Sequence, residues 1–111
     1  MTRILAVSND LSVCRQIHAA LEGHSVEVAL DAVCARMALS DAFDLVLIDA
    51  GLGAEAAGLA AHIHGLAGET MRVVALGNDP SLDVLVSERA SKPVSAAELG
   101  ALVSRSVVSV A

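Results

Sequence analysis

The residues of this sequence that could carry chemistry follow its apolar runs. If the runs are parallel strands, the loops after them converge at one edge of a sheet, where such folds usually keep their ligand chemistry. A carboxylate that ends a fully apolar strand, as Asp49 does, is costly to bury unless it is solvated or paired. Lys92, a flexible cation before Pro93, could pair with Asp49 or hold a phosphoryl oxygen. The groups predicted at this edge are Ser8, Asn9 and Asp10 after the first run, Asp49 at the end of the third, Gly77, Asn78 and Asp79 after the fourth, and Lys92 after the fifth.

The apolar runs predict five strands that alternate with helices. The third and fourth runs are apolar on both faces, as central parallel strands are. The second run begins with alternation and predicts an edge strand. Strands alternating with helices indicate a doubly wound α/β sheet. The predicted strands are Arg3–Val7, Ser25–Leu30, Leu45–Asp49, Arg72–Leu76 and Glu88–Ala90, and the predicted helices are Leu11–Leu21, Ala32–Leu39, Ala54–Leu66 and a last helix after Ser95.

The helix ends carry capping signals. Asp10 or Ser12 is the predicted N-cap of the first helix, Asp31 caps the second, and Ser95-Ala96-Ala97-Glu98 is a capping box for the last. Cys14 and Cys34 fit no CxxC pattern and lie in predicted helices, so we expect buried, reduced thiols. Helical spacing predicts an apolar face of Leu11, Cys14, Ile17, His18 and Leu21 on the first helix, and a stripe of Leu99, Leu102, Val103, Val107 and Val110 on the last.

The connection between the fourth and fifth strands breaks this rhythm. Only residues 77–87 lie there, whereas a parallel crossover with its helix normally needs a dozen or more residues. We therefore expect a single helical turn around Leu82–Val86 or an extended loop. A shortened or missing helix would leave the sheet near Val73–Leu76 and the last helix partly bare.

Composition bounds the class of protein. The 111 residues predict a single domain over 1–111, with 104–111 as the end of the last helix or the start of a linker. The net charge of −6 and the single aromatic residue, Phe43, argue against nucleic-acid binding, which needs basic patches or stacking surfaces. With no polybasic stretch and no run of about 18 apolar residues, we expect no membrane contact and a cytoplasmic location.

Four stretches in order, ILAVSND, DLVLIDAGLG, RVVALGND and SKPVSAAELGALV, resemble the receiver domain of two-component response regulators over residues 3–103. The resemblance implies a flavodoxin-like five-stranded parallel sheet of order 2-1-3-4-5. It implies that Asp49 accepts a phosphoryl group from a histidine kinase or phosphotransfer protein, and that Lys92 contacts that group. It also implies that the backbone carbonyl of Gly51 is a magnesium ligand beside Asp49.

The sequence departs from that family at several of these positions. Ser8 and Asn9 stand where the family has two magnesium-binding acids, and Asp10, one place later, is a weak candidate for a metal ligand. Gly77 replaces a Ser or Thr that binds the phosphoryl group, and Arg89 replaces an aromatic switch residue. A carboxylate about 4 Å from a divalent ion gains on the order of 8 kcal/mol of gross Coulomb energy at an effective dielectric of 20. With two such groups missing, we expect weak Mg²⁺ binding.

The sequence leaves three functions open, and in none of them do we expect the protein to be an enzyme. The first is a receiver that still takes a phosphoryl group on Asp49. The second is a pseudo-receiver that docks a partner, or itself as a homodimer through the fourth and fifth strands and the last helix. The third is a small-molecule or nucleotide site at the same edge that uses Asn9, Asn78 and Arg89. Separately, Arg89 could be an exposed charge or could reach towards Asp49 in place of a metal. No motif supports a dinucleotide loop at Gly51-Leu52-Gly53 or a metal shared by His62 and His64, which lie about 200° apart on a helix.

Overall fold

The computed structural model describes residues 3–40, 43–67, 72–77, 86, 88–90 and 95–108, and for residues 66, 67 and 104–108 it describes the backbone only. Strands and helices alternate along the chain. The strands are β1 (Arg3–Val7), β2 (Ser25–Ala29), β3 (Leu45–Asp49), β4 (Arg72–Leu76) and β5 (Glu88–Ala90). The helices are α1 (Leu11–Ala20), α2 (Ala32–Ala38), α3 (Ala54–Ala67) and α4 (Ala96–Val108), and a 3₁₀ turn, Ala50–Leu52, follows β3.

The five strands form one parallel sheet in the order β2-β1-β3-β4-β5. The predicted α/β class, strand order and edge position of β2 are therefore confirmed. β3 is buried at all five positions, as its unbroken apolar run predicts for a strand covered on both faces. The register between β1 and β3 pairs Val7 with Ile48. The next residue on each strand is Ser8 or Asp49, so these two residues consequently lie next to each other at the ends of β1 and β3.

Helices cover both faces of the sheet, and each face has its own core because successive strand residues point to opposite sides. The two cores consist almost wholly of aliphatic side chains, since the chain has one aromatic residue. One core, which includes α2 and α3, contains Leu5, Val7, Ala29, Ala32, Ala35, Phe43, Val46, Ile48, Leu52, Ala56, Leu59, Ala60, Ile63 and Ala75. The other, which includes α1 and α4, contains Ile4, Ala6, Val13, Ile17, Leu21, Leu45, Leu47, Val74, Leu76, Ala90, Leu99, Leu102 and Val103.

The buried face of α1 differs from the predicted one. Cys14 and Ile17 are buried as expected, and Val13 belongs to the same face, but Leu11 is 59% exposed and His18 is exposed. Leu11 is the first residue of the helix, so it projects beyond the sheet that the later turns cover. Because Asp10, and not Ser12, is the N-cap, the helix begins at Leu11 as predicted.

The two thiols also differ from each other. Both are free, as expected, but Cys34 is exposed, whereas Cys14 is buried. Cys34 lies in the first turn of α2, whose buried residues are Ala32 and Ala35. The buried stripe of α2 is thus narrow and consists of alanines, and the neighbouring positions, including Val33 at 65% exposure, face outward.

The expectation that β4 lies partly bare is wrong for most of that strand. Val74, Ala75 and Leu76 are all at most 1% exposed, and only Arg72 and Val73 are half-buried. One reason is visible in the described part of the connection: Val86 packs against the same core as Val73 and Ala75. The predicted turn at Leu82–Val86 otherwise falls on residues outside those that the structure describes.

Arg72 connects three elements at the start of β4. Its Nε donates to Glu88 Oε2 at 2.8 Å, its Nη2 pairs with Glu88 Oε1, and its Nη1 donates to the carbonyl oxygen of Leu102 at 2.9 Å. A forked guanidinium suits this arrangement, because one planar group can bind a carboxylate and a carbonyl together. Arg72 therefore holds β4, β5 and α4 at one end of the sheet. At the beginning of α4, Ser95 Oγ accepts the N–H of Glu98 at 3.3 Å, as half of the predicted capping box requires.

Candidate functional site

Asp49 lies at the carboxyl edge of the sheet, at the end of the most deeply buried strand. Its side chain is 1% exposed. The 3₁₀ turn that follows β3 folds back so that the N–H of Gly51 donates to Asp49 Oδ1 at 2.8 Å. The carboxylate thus acts as the cap of that turn. Burial of a carboxylate is expensive without such donors, so the sequence after Asp49 contributes directly to keeping it in the interior.

Ser8 provides the second donor to Asp49. Its side chain is fully buried, and its hydroxyl donates to Asp49 Oδ2 at 2.7 Å, across 41 residues of sequence. Ser8 Oγ also accepts the N–H of Asp10, at 3.1 Å. The backbone N–H of Ser8 donates to the carbonyl of Ala29 at 3.0 Å, which fixes the residue beyond the end of β1. Each oxygen of the Asp49 carboxylate therefore accepts a hydrogen bond from its own chain.

Asp10 lies at the same edge but serves α1. Its Oδ1 accepts the N–H of Ser12 at 2.9 Å, and its carbonyl accepts the N–H of Cys14 at 3.1 Å, so it is the N-cap of the helix. Both Asn9 and Asp10 are exposed. The Asp10 carboxylate, which the sequence offers as a weak candidate for a metal ligand, is thus the cap of α1. The bond from the Ser12 N–H holds it on the exposed side of the turn.

Cys14 completes the cluster, although its part in the site could not be recognised from the sequence. Its Sγ donates to the carbonyl oxygen of Ser8 at 3.6 Å. Burial raises the pKa of the Cys14 thiol; the Ser8 contact lowers it, and the carboxylates of Asp10 and Asp49 raise it further. The thiol is therefore protonated at neutral pH and acts as a hydrogen-bond donor to the turn after β1, not as a nucleophile.

Comparisons with known proteins bear on this arrangement. No protein-family model matches the sequence, and no curated protein matches it. Solved structures do match. One is NtrX from Brucella abortus, with a TM-score of 0.84 and 25% identity over 97% of this chain, which spans only 26% of that protein. Another is a CheY-like response regulator receiver domain from Methylobacillus flagellatus, with a TM-score of 0.83, 18% identity and coverage of 96% of this chain and 98% of that one. A third is a two-component response regulator from Clostridium difficile, with a TM-score of 0.82, 22% identity and 96% coverage of both chains.

The chain has the fold of a response regulator receiver domain. In this fold, the edge that holds Ser8, Asp49 and Gly51 is the edge predicted for the site. The structure thus brings together Ser8, Asp49 and Gly51 from the groups predicted there, with Ser8 as a direct partner of Asp49. Lys92, Asn78 and Asp79 lie outside the residues that the structure describes.

Gly77, which follows β4, stands where the receiver family has a Ser or Thr. Gly77 has φ of 101°, and its N–H donates to the carbonyl of Ala90 at 2.9 Å. A side chain at this φ is strained, because only glycine adopts it readily. The backbone conformation at Gly77 therefore disfavours a Ser or Thr at this position. Arg89, the neighbour of Ala75 in the register, has an exposed side chain, whereas Asp49 is buried.

Magnesium, which the receiver fold implies, does not suit the residues described at this edge. Mg²⁺ prefers near-octahedral coordination by hard oxygens, and carboxylates are its usual protein ligands. Here one buried carboxylate is present, and both of its oxygens accept hydrogen bonds. Within the described ranges, no group of three or more His, Cys, Asp or Glu residues could hold a metal ion; His62 is half-buried and His64 exposed on α3.

Among the described residues, no helix is long and apolar enough to cross a membrane.

Proposed function

We propose that this chain is a signalling module of the two-component type, in which Asp49 is the phosphoacceptor and phosphoryl transfer to it is slow. The observation that carries the proposal is the position of Asp49: a buried carboxylate at the carboxyl end of the central strand, held through both oxygens by Ser8 and Gly51. The similarity to receiver domains supports the signalling role. The module transmits a signal by changing shape and performs no turnover of its own.

The chemistry is a transfer to one carboxylate oxygen. An oxygen of Asp49 attacks phosphorus, the P–N bond of a phosphohistidine on a kinase or phosphotransfer protein breaks, and a P–O bond forms. The hydrogen bonds of Ser8 and Gly51 orient the carboxylate before attack. They also stabilise the unmodified form, and at 1% exposure the attacking oxygen must first be uncovered. Both effects raise the barrier, because a ground-state interaction lost on the way to the transition state slows the reaction.

A second candidate is a pseudo-receiver whose unphosphorylated surface docks a partner. The same hydrogen bonds favour it. Both oxygens of Asp49 already accept bonds from the chain, and Asp10 caps α1, so these residues stabilise the fold without a phosphoryl group. Burial narrows the surfaces through which the chain could dock. Val74–Leu76 are buried, so a homodimer through β4, β5 and α4 would have to use the outer side chains of β5 and α4, such as Arg89 and Ala101.

The deciding experiment treats the protein with a small phosphodonor such as acetyl phosphate, with and without MgCl₂, and maps the product by mass spectrometry. Labelling of Asp49 that Asp49→Asn abolishes supports the phosphoacceptor. The matched control is Asp44→Asn, a change of the same type just before β3. Because the proposed transfer is slow, labelling is followed well beyond the time that an ordinary receiver needs. An Asp49 that stays unmodified throughout, while an ordinary receiver is labelled, overturns the first proposal and favours docking. Sedimentation of the same samples tests the homodimer, and a monomer at tens of micromolar would contradict self-docking.

A further inference from the structure

The bond between Ser8 and Asp49 has a property that the receiver resemblance does not supply. A hydroxyl that donates its proton to Asp49 Oδ2 places partial positive charge at the point where a cation would approach that oxygen. We propose that Ser8 is the positioning residue of Asp49 in this chain and that its hydroxyl takes the place of a divalent cation there. Asp49 is then held for signalling without a metal. This inference rests on the proposed function only in taking Asp49 as the residue that carries the signal.

The direction of the proton on Ser8 follows from its neighbours. Ser8 Oγ accepts the N–H of Asp10 at 3.1 Å, and an N–H can only donate. Asp49 Oδ2, 2.7 Å away, accepts from the hydroxyl. The acceptor side of Ser8 Oγ thus faces the turn and its donor side faces the carboxylate. Ser8 is at 0% exposure, so solvent does not compete for either side.

The bond between Ser8 and Asp49 opposes metal binding. A cation at the lone pair of Asp49 Oδ2 that accepts the Ser8 hydroxyl would have to displace that bond, and the neutral oxygen of Ser8 adds no negative charge to hold the cation. The Asp10 carboxylate, which is described at the same edge, accepts the N–H of Ser12. If a cation broke these bonds, buried or half-buried polar groups would be left without hydrogen-bond partners. That loss costs free energy, which coordination by a neutral hydroxyl does not offset.

The test uses the whole chain and MgCl₂ alone, with no phosphodonor, so it can succeed where the phosphoacceptor proposal fails. The reporter is the Gly51 amide signal in a ¹H–¹⁵N spectrum, because this N–H donates to Asp49 Oδ1. In the wild type, we expect the signal to stay in place up to about 10 mM MgCl₂ and the unfolding midpoint to stay constant. In Ser8→Asp, which restores an acid beside Asp49, we expect a saturable shift of the signal and a midpoint that rises with MgCl₂. Ser12→Asp adds the same charge to the exposed first turn of α1 and should behave as wild type.

Two conservative variants test the positioning role without depending on the fold of Ser8→Asp. Ser8→Thr keeps the hydroxyl and should leave the Gly51 signal near its wild-type position without metal, whereas Ser8→Ala should move it. Ser12→Ala is the control for removal of a hydroxyl. A wild-type Gly51 signal that titrates with MgCl₂ would overturn the inference. So would a Ser8→Asp protein that folds but ignores MgCl₂, or a Ser8→Ala spectrum in which Gly51 is unmoved.

Discussion

Replacement of Ser8 by alanine removes one hydroxyl from the interior and measures how far the Asp49 cluster depends on it. In the wild type, this hydroxyl donates to Asp49 Oδ2 at 2.7 Å and accepts the Asp10 N–H at 3.1 Å. A hydrogen bond to a charged group contributes about 1.5–3 kcal/mol. The partly buried Asp10 N–H also loses its partner, which adds to this cost. We therefore expect Ser8→Ala to lower the free energy of unfolding by about 2–3 kcal/mol.

The measurement is urea denaturation followed by far-UV circular dichroism, because the chain has no Trp and no Tyr for fluorescence. Ser12→Ala is the matched control: Ser12 is exposed and its backbone N–H makes the contact with Asp10, so we expect a change under about 0.5 kcal/mol. A double-mutant cycle with Asp49→Asn isolates the pair. If the bond to the carboxylate is the cause, the cycle should give a coupling free energy of about 1 kcal/mol or more.

Two results would refute this reasoning about Ser8. One is a cost of Ser8→Ala that does not exceed that of Ser12→Ala. The other is the same cost in the wild-type and Asp49→Asn backgrounds, because the hydroxyl would then stabilise the turn after β1 and not the carboxylate. An unchanged m-value across the series is also required, so that differences in the midpoint report differences in stability.

Three further predictions concern the rest of the structure. Exposed Cys34 should react with a disulfide reagent in the folded protein, whereas buried Cys14 should react only on unfolding; two reactive thiols per folded chain would contradict this. Hydrogen bonds from Cys34 hold the pKa of Asp31 below its usual value of about 4, so Asp31 stabilises the fold above that value and its contribution is lost as pH falls through the lowered pKa. Asp31→Ala should therefore lower stability in urea titrations more at neutral pH than in strong acid, and a loss of the same size at both pH values would disprove the assignment. Gly77→Ser should destabilise by about 1 kcal/mol or more in urea because of its φ of 101°, whereas Gly58→Ala, in helix α3 with open space around it, should stabilise by about 0.5–1 kcal/mol; equal effects would show that the backbone at Gly77 is not strained by a side chain.

Much of the fold is predictable from the sequence, because burial on both faces leaves an unmistakable apolar run. β1, β3, β4 and β5 have the predicted bounds, and β2 ends one residue before its predicted end at Leu30. Asp31 begins α2 as a cap should. Local patterns of this kind depend on residues a few positions apart, and so they can be recognised in one chain.

The contacts that make the site depend on residues far apart in sequence. The pairing of Ser8 with Asp49 follows from the register of β1 against β3, in which Val7 faces Ile48. The sequence holds a clue to this register, since both runs end in four apolar residues before the polar one. It does not show that the Ser8 hydroxyl turns inward while Asp10 turns out to cap α1. In the folded chain, Asp49 accepts the hydroxyl of Ser8, and the N–H of Ser12 donates to the Asp10 carboxylate.

The junction at Arg72 has a consequence for how this chain can vary. β5 is only three residues long, yet its place is fixed by Arg72 with Glu88, by the Gly77 N–H to Ala90, and by its register with β4. Arg72 and Glu88 are therefore constrained as a pair, because a change at either one removes contacts that hold the short β5 against β4. A change at Arg72 would also remove the bond to the carbonyl of Leu102, so that α4 is affected together with the two strands.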